Sequence, residues 1–454
     1  MARPAILSQV ELQRMVDSGE VDTVVVALPD MQGRLVGKRV AAQHFLDEVA
    51  AHGVECCSYL LAVDVEMKTV PGYAIADWGT GYGDVVLKPD FATLRRISWQ
   101  PGTVLMLADA HWPGGGEVAV APRQILAHQI ARLAERDLVA MAATELEFLV
   151  FEDSYRQAWS GGYRGLTPAT DYNADYGLVV SSRLEPLLRD IRLGMTAAGL
   201  RCEGVKGECN TGQQEITFRY AEALTTCDNH SVYKSGAKEI ADQHGKSLTF
   251  MAKFDQREGN SCHVHLSLRN AAGEPVFADA DAPHGMSSLF GSFLAGVLAT
   301  LPELTLFYAP NINSYKRFVN GSFAPTAIGW GLDNRTCALR VLGHGQSMRV
   351  ECRVPGGDVN PYLAVAALIA AGLHGIDNHL ELPEPVEGDA YRAGLPHLPT
   401  TLGTAVELFA QSTVARKAFG DEIVAHYVHA ARVELDAFNT AVTDWERVRG
   451  FERL

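Results

Sequence analysis

Two glutamates, Glu145 and Glu147, stand two residues apart in the otherwise apolar segment 138–152. Because the side chains of a β-strand alternate between its two faces, both carboxylates would project from the same face. Two carboxylates held close together on a half-buried face repel each other, and both are costly to remove from water. A bound divalent cation would relieve both effects. The simpler alternative is a solvated strand face, which the apolar flanking residues disfavour.

Three later segments, 207–220, 262–268 and 347–355, carry polar side chains in similar patterns. A single buried histidine is more often a core residue than a ligand, and alternating arginine and glutamate can form a surface ion-pair ladder. Each segment taken alone therefore leaves its simpler interpretation open. The polar residues are Glu208 and Glu215 around a glycine turn, His263, His265 and Ser267 on one strand face, and Ser347, Arg349, Glu351 and Arg353 on another.

The four segments together indicate one kind of chemistry. Glutamates with one or two histidines suit hard cations that prefer oxygen ligands, such as Mg²⁺ or Mn²⁺. Arginines that face the same cavity suit phosphate or carboxylate groups. A site that combines metal and arginine predicts phosphoryl transfer from a nucleotide.

The surrounding sequence predicts a mixture of strands and helices, hence an α+β fold. The chain has 454 residues, of which 47% are hydrophobic, enough for two domains with sizeable cores. Three glycines in segment 112–117 predict a linker between domains 1–112 and 113–454. We expect strands within 22–34 and 81–90, helices at 122–136, 228–245, 360–376 and through about 404–445, and a long functional loop at 161–177.

Charge and composition exclude several classes of partner. The 39 basic and 54 acidic residues give a formal charge of −15, whereas a nucleic-acid-binding surface needs clustered positive charge. The most apolar run, 362–376, is shorter than the roughly 18–20 residues that cross a bilayer, and the N-terminus has no uninterrupted apolar segment typical of a signal peptide. The eight cysteines are scattered without a CxxC pair, which favours reduced thiols. We therefore expect a cytoplasmic protein with neither a nucleic-acid nor a membrane partner.

Six ordered motifs resemble the class I glutamine synthetase family over nearly the whole chain. The resemblance implies a small N-terminal β-grasp-like domain and a larger catalytic domain with an antiparallel, barrel-like sheet and flanking helices. It also implies a dodecamer of two hexameric rings, with active sites between neighbouring subunits. The motifs are TELEF at 144–148, the Glu208 and Glu215 pair, HVHLSL at 263–268, NSYKRF at 313–318, DNRTCALR at 333–340 and RVECRVPGGDVNPYLA at 349–364.

The resemblance also implies a reaction and a role for each residue. ATP phosphorylates the γ-carboxylate of glutamate, and an amine then attacks the acyl phosphate, with two Mg²⁺ or Mn²⁺ ions per site. Arg335 would be catalytic, facing the transferred phosphate. The implied sets are Glu147, Glu208 and Glu215 for one metal; Glu145, His263 and Glu351 for the other; Glu203, His265, Ser267, Arg335 and Arg340 for the nucleotide; and Gly259, Arg317 and Arg353 for glutamate.

The departures from the family pattern concern the acceptor. Ammonia-using members carry a flap that reads roughly PGYEAP, whose glutamate closes the ammonium site, and here the flap segment 320–325 has Phe323 at that position. The family's FDGSS motif, whose aspartate binds ammonium, is absent from 54–64, and Glu258 replaces the usual asparagine before Gly259. Ammonium needs an anionic cage to leave water, whereas an aromatic ring can pack against an alkyl chain or an alkylammonium. We therefore predict an organic amine acceptor, either a polyamine or an ethanolamine-like amine, with Phe323 in its pocket.

Such an acceptor must lose a proton before it attacks. An alkylamine with a pKa of about 10.4 lies about three units above neutral, so deprotonation costs roughly 4–5 kcal/mol. A carboxylate near the amine is therefore expected, and Glu55, Asp64 and Glu66 are weak candidates. Two alternatives remain open: a glutamine synthetase that uses ammonia with a diverged flap, and a catalytically inactive family member with a structural or regulatory role.

Overall fold

The computed structural model describes residues 7–454. Residues 1–6, where the segment considered for a signal peptide begins, lie outside this range. The first of two sheets has the strand order β2-β1-β6-β4-β3, with β5 beside β6. Its central pair, β1 and β6, is parallel, and the other pairs are antiparallel. The strands are β1 Thr23–Pro29, β2 Leu35–Ala41, β3 Val54–Cys57, β4 Asp84–Pro89, β5 Arg95–Arg96 and β6 Thr103–His111.

Strands β1 and β2 form a hairpin for local reasons. The β-branched valines of β1 favour an extended chain. The Asp30 carboxylate accepts hydrogen bonds from the backbone N–H groups of Gln32 and Arg34, and Gly33 adopts a φ of +76° that closes the turn. A helical segment, 42–52, follows β2. The hairpin, the helical segment and the parallel central pair give the expected β-grasp-like arrangement.

The second sheet is larger, barrel-like and nearly closed. Its order is β13-β14-β15-β12-β7-β9-β8, and β10 and β11 also pair with β7. Only β13 and β14 are parallel among the described pairs of this sheet, so the predicted antiparallel character is confirmed. The strands are β7 Leu138–Phe151, β8 Cys202–Gly207, β9 Gln213–Phe218, β10 Ala221–Glu222, β11 Ser247–Thr249, β12 Cys262–Asn270, β13 Trp330–Leu332, β14 Leu339–Leu342 and β15 Arg349–Cys352.

Helices surround both sheets. The predicted helices are confirmed at α4, α7 and α9, and the C-terminal helical region is divided into α10, α11 and α12. They are α1 Gln9–Asp17, α2 Ala42–His44, α3 Ala50–His52, α4 Pro122–Ala134, α5 Tyr155–Ser160, α6 Leu178–Ala197, α7 Ala223–Gln243, α8 Ser288–Tyr308, α9 Pro361–Asp377, α10 Leu402–Gln411, α11 Thr413–Phe419, α12 Asp421–Thr440 and α13 Asp444–Gly450, with a π-helical turn at Phe45–Val49 between α2 and α3.

Helix α8 corrects the expectation about the most apolar segment. This 21-residue helix is long and apolar enough to cross a bilayer by composition, but two thirds of that apolar stretch is buried inside the protein. It packs against α9, with Gly296 and Gly375 at the crossing. A Cβ atom on Gly296 would overlap the carbonyl oxygen of Ala371 and lie 2.5 Å from the nitrogen of Gly375. The two apolar helices therefore form a core pair whose backbones approach closely.

The part of the chain that carries the first sheet is joined to the rest by a buried arginine. Arg123, at the start of α4, forms ion pairs with Asp90, Asp109 and Asp228 at 2.6, 2.8 and 3.0 Å. Burial lowers the pKa of Arg123, but Asp228 and Asp109 raise it further, so the guanidinium stays charged. Segment 112–117, predicted as a linker, is a tight turn in which the Trp112 N–H donates to the carbonyl of Gly116 at 2.9 Å.

Candidate active site

Strand register brings the predicted metal ligands together. In the β7–β12 pair, Glu145 lies opposite His263. In the β12–β15 pair, His265 lies opposite Glu351, and in the β7–β9 pair, Glu147 lies opposite Glu215. Because the residues of a directly opposed pair point to the same face of a sheet, side chains from four strands converge.

The first carboxylate cluster consists of Glu147, Glu208 and Glu215, whose nearest oxygens all lie within 4.8 Å of one another. Burial and the charge of Glu208 raise the pKa of Glu147 to about 7. Burial and the charges of Glu145 and Glu147 raise the pKa of Glu215 to about 9. Too little positive charge surrounds these carboxylates to keep all of them ionised. A hard divalent cation would supply that charge, so the donor set fits Mg²⁺ or Mn²⁺.

A second cluster consists of Glu145, His265 and Glu351, also within 4.8 Å. The predicted ligand, His263, lies beside it, with its Nδ1 3.3 Å from an oxygen of Glu145 and 3.3 Å from an oxygen of Glu351. Burial, reinforced by Arg353, lowers the pKa of His263 to about 4, which favours the neutral imidazole that binds metals. The His263 Nε2 is buried without a hydrogen-bond partner. Both imidazoles are therefore within reach of an ion held by Glu145 and Glu351.

Glu351 is completely buried and is held by two arginines. Arg340 Nη1 lies 3.0 Å from one carboxylate oxygen, and Arg353 Nη1 donates to the other. Burial raises the pKa of Glu351, but the charges of His263, whenever its imidazole is protonated, and of Arg353 outweigh burial and lower the pKa below its ordinary value. The other side of the Arg340 guanidinium binds Asp333, with Nε 3.0 Å from Oδ1. Glu351 is thus kept ionised at the centre of the site.

Two cavities meet at Glu145. The first cavity, of about 410 Å³, is lined by Glu203, His265 and Ser267, which were predicted to contact the nucleotide. The second cavity, of about 430 Å³, holds the first carboxylate cluster. Glu145 lines both. The other predicted site residues on the second cavity are His263, Gly259, Phe323, Arg335, Arg340 and Arg353.

Two arginines are placed differently from their implied roles. Arg340 lines the second cavity rather than the first, because it is paired with Glu351. Arg317 does not line either cavity, because its guanidinium donates to the carbonyls of Arg353, Val354 and Pro355. Arg317 therefore holds the segment after β15 in place.

Phe323 is 56% exposed and has a φ of +57°. Its backbone carbonyl accepts a hydrogen bond from Arg353 Nη2 at 3.4 Å. A non-glycine residue in this conformation needs support from its surroundings, and the contact with Arg353 provides some of it. The flap is in this way connected to a predicted glutamate-binding residue.

Sequence reasoning missed several residues that line the second cavity: Asp175, Tyr176, Lys206 and Cys209. Two of them had a usable signal, because Asp175 and Tyr176 end the long loop predicted to be functional. Lys206 stands two residues before Glu208, the spacing that shares a strand face. None of the weak base candidates Glu55, Asp64 and Glu66 lines this cavity within the described chain.

Comparisons with known proteins agree with this geometry. The family model for the glutamine synthetase catalytic domain matches residues 119–449. The gamma-glutamylethanolamide synthetase of Streptomyces coelicolor is 61% identical over 98% of this chain and 96% of that protein. The glutamate–isopropylamine ligase of a Pseudomonas species is 35% identical over 97% of each.

The chain is also similar to a solved structure over nearly its whole length. A complex of GmaS with ADP has a TM-score of 0.85 and 28% identity, covering 97% of this chain and 99% of that one. The family match spans well over half of the chain, and the first relative is similar over nearly all of it. This chain belongs to the glutamine synthetase family.

Proposed function

We propose that this protein is an ATP-dependent ligase that joins an organic amine, most specifically ethanolamine, to the γ-carboxylate of L-glutamate through a γ-glutamyl phosphate. The observation that carries the proposal is the pair of cavities. A nucleotide-sized cavity and a second cavity, which is lined by arginines and by the first carboxylate cluster, share Glu145 as a lining residue. The similarity to a gamma-glutamylethanolamide synthetase supports the acceptor class.

The first cavity would hold ATP against Glu203, His265 and Ser267. Glutamate would lie in the second cavity, where Gly259 offers its backbone and Arg353 its guanidinium. Arg335 lines the second cavity and forms no ion pair within residues 7–454, so its charge is available to a transferred phosphoryl group.

The family uses ATP and divalent metal. One ion would be held by Glu147, Glu208 and Glu215, and the other by Glu145 and Glu351 with His263 or His265. Bound there, the ions would supply positive charge that offsets the negative charge of the phosphate and carboxylate groups of the substrates. The protein's own contribution is to keep Glu351 ionised and the arginines oriented before the substrates arrive.

The acceptor side of the second cavity combines Phe323 with carboxylates. Asp175 and Glu258 line the same cavity as Phe323, and the Tyr176 ring lies beside them. The apolar ring would face the methylene groups of the amine. Asp175 or Glu258 would receive the proton. The three weak candidates, Glu55, Asp64 and Glu66, do not line this cavity of their own chain.

An ammonia-using glutamine synthetase is the second candidate, supported by several relatives named glutamine synthetase at about 33% identity. Phe323 argues against it, because a small hydrated cation gains nothing from an aromatic ring in place of a carboxylate. An inactive family member is the third candidate, and it would have no use for an intact set of metal ligands.

The test is phosphate release by the purified protein with ATP, glutamate and Mg²⁺, comparing ethanolamine, putrescine, spermidine, isopropylamine, methylamine and ammonia. Turnover with ethanolamine and little with equimolar ammonia supports the proposal. Preference for ammonia would instead identify a glutamine synthetase. No turnover with any amine, although Mn²⁺ binds, would favour the inactive member.

The division into domains 1–112 and 113–454 is also proposed here, supported by the separation of the two sheets along the chain. A dodecamer of two hexameric rings, with an active site shared between neighbours, follows from the family resemblance and is testable by light scattering. The cytoplasmic location stays a prediction.

A further inference from the structure

Lys206 occupies an unusual position among the metal ligands. It lies on β8, and its ammonium donates a hydrogen bond to Glu208 Oε1, within the carboxylate cluster proposed to bind an ion. The lysine side chain is 27% exposed and that of Glu208 only 14%. The pair is therefore partly desolvated, on the wall of the second cavity.

A second acceptor for the same ammonium is close by. Lys206 Nζ lies 3.9 Å from Asp175 Oδ1 and 4.7 Å from the centre of the Tyr176 ring. Asp175 and Tyr176 belong to the loop that precedes α6. A small rotation of the lysine side chain would move its charge from Glu208 to Asp175, with the ring face still stabilising it.

A divalent ion and this ammonium cannot share Glu208 favourably. A cation such as Mg²⁺ binds a carboxylate oxygen at about 2.0–2.1 Å. The ammonium, bonded to the same carboxylate, would then lie only about 3–5 Å from a doubly charged ion, where repulsion in a partly buried site is strong. Ion binding therefore requires the ammonium to leave Glu208.

We propose that Lys206 is an internal counter-ion of the metal-free carboxylate cluster, and that it competes with the divalent ion for Glu208 and moves to Asp175 when the ion binds. The inference rests on the metal assignment of the proposed function but not on the identity of the amine. Lys206 thereby couples ion binding to the acceptor side of the cavity, because its ammonium, which already lies 3.9 Å from Asp175, pairs mainly with Asp175 only in the ion-loaded protein.

The test is Mn²⁺ binding to the full chain at one fixed pH, without ATP or glutamate, by calorimetry and by the electron paramagnetic resonance signal of free Mn²⁺. Lys206→Met should tighten one Mn²⁺ site by about three- to tenfold, because the competing cation is gone. Asp175→Asn should weaken the same site a few-fold, since the displaced ammonium loses its second partner. In the double variant Asp175→Asn should have no further effect.

The matched control is Lys246→Met. Lys246 also pairs with a glutamate, Glu152, and its side chain is 22% exposed, but the pair lies outside both cavities. Lys246→Met should therefore leave the affinity for Mn²⁺ unchanged. Lys206→Arg keeps the charge and should bind Mn²⁺ nearly as wild type does, which separates the effect of charge from that of a disturbed fold.

Equal or weaker Mn²⁺ binding by Lys206→Met, with the control variant unchanged, would overturn the inference and make Lys206 a substrate contact or a structural residue. A weakening by Asp175→Asn that persists in the double variant would also overturn it, because Asp175 would then be a ligand itself. If the wild type binds no Mn²⁺, both this inference and the metal assignment fail. If Mn²⁺ binds as expected but no amine supports turnover, only the proposed reaction fails.

Discussion

Replacement of Glu215 by glutamine should stabilise the metal-free protein. The folded pKa of Glu215 is about 9, against an ordinary value of 4.5. Because the folded state holds this proton more tightly than the unfolded state, the stabilisation is full below pH 4.5 and is lost as the pH rises toward 9. At pH 7 the loss is about 1.4 kcal/mol for each of about 2.5 pH units, or roughly 3 kcal/mol.

Glu215→Gln removes this pH-dependent loss, since an amide of similar shape carries no charge. With about 2.1 cal/mol/K of unfolding entropy per residue, the 454-residue chain changes its Tm by about 1 °C per kcal/mol, so a rise of about 3 °C is expected at pH 7. The gain should shrink toward pH 5. Added Mn²⁺ should then raise the Tm of the wild type more than that of the variant, because the variant has lost a ligand.

The assay is thermal unfolding followed by circular dichroism between pH 5 and 8, with a chelator and then with Mn²⁺. Glu381→Gln, on an exposed loop outside both cavities, is the matched control and should change neither the Tm nor its pH dependence. A metal-free Glu215→Gln protein that is less stable than wild type at pH 8 would refute the reasoning. So would an Mn²⁺ response as large as that of the wild type.

Three further predictions concern the flap, the phosphoryl site and the helical core. Phe323→Glu should shift the ratio of kcat/KM values from ethanolamine toward ammonia by at least about tenfold, and an unchanged ratio would remove Phe323 from the acceptor pocket. Arg335→Met should lower kcat by about 10²–10³-fold while Mn²⁺ affinity stays constant, and a loss of Mn²⁺ binding would contradict the assigned role. Gly296→Ala should lower the free energy of unfolding, measured by chemical denaturation, by about 1–3 kcal/mol or more, because the added methyl group overlaps α9. Gly291→Ala is the control and should not destabilise the protein, because position 291 faces open space. Equal effects of the two substitutions would refute the close helix contact.

Side-chain periodicity identified the strands of the site because each strand has one face with polar residues and one with apolar residues. Glu145 and Glu147 on β7, and the His263 and His265 pair on β12, were assigned to common faces from the alternation alone, and the structure agrees. The same logic failed for α8. A helix buried nearly all round has no polar stripe, so its apolar run gives no helical period to detect.

Several features of the site depend on where distant segments meet. Glu145 and His263 are far apart along the chain, and only the register of β7 and β12 places them opposite each other. The sequence motif that contains Arg317 gave no sign that the carbonyls after β15 would take up its guanidinium. The spacing of Lys206 and Glu208 could place both on one strand face, but only the fold buries the pair on the wall of the second cavity, where the ammonium binds Glu208 rather than solvent.

The amino-acid sequence by itself determined the family, the donor types of the metal site and the replacement of a flap carboxylate by Phe323, because each of these is a matter of which residues are present and in what order. Tertiary structure alone decided which cavity each arginine faces, which carboxylates lie close enough to raise one another's pKa, and which ammonium group pairs with them. Those outcomes depend on distances of a few ångströms and on exclusion of water, and both arise only when segments separated by tens to hundreds of residues pack together.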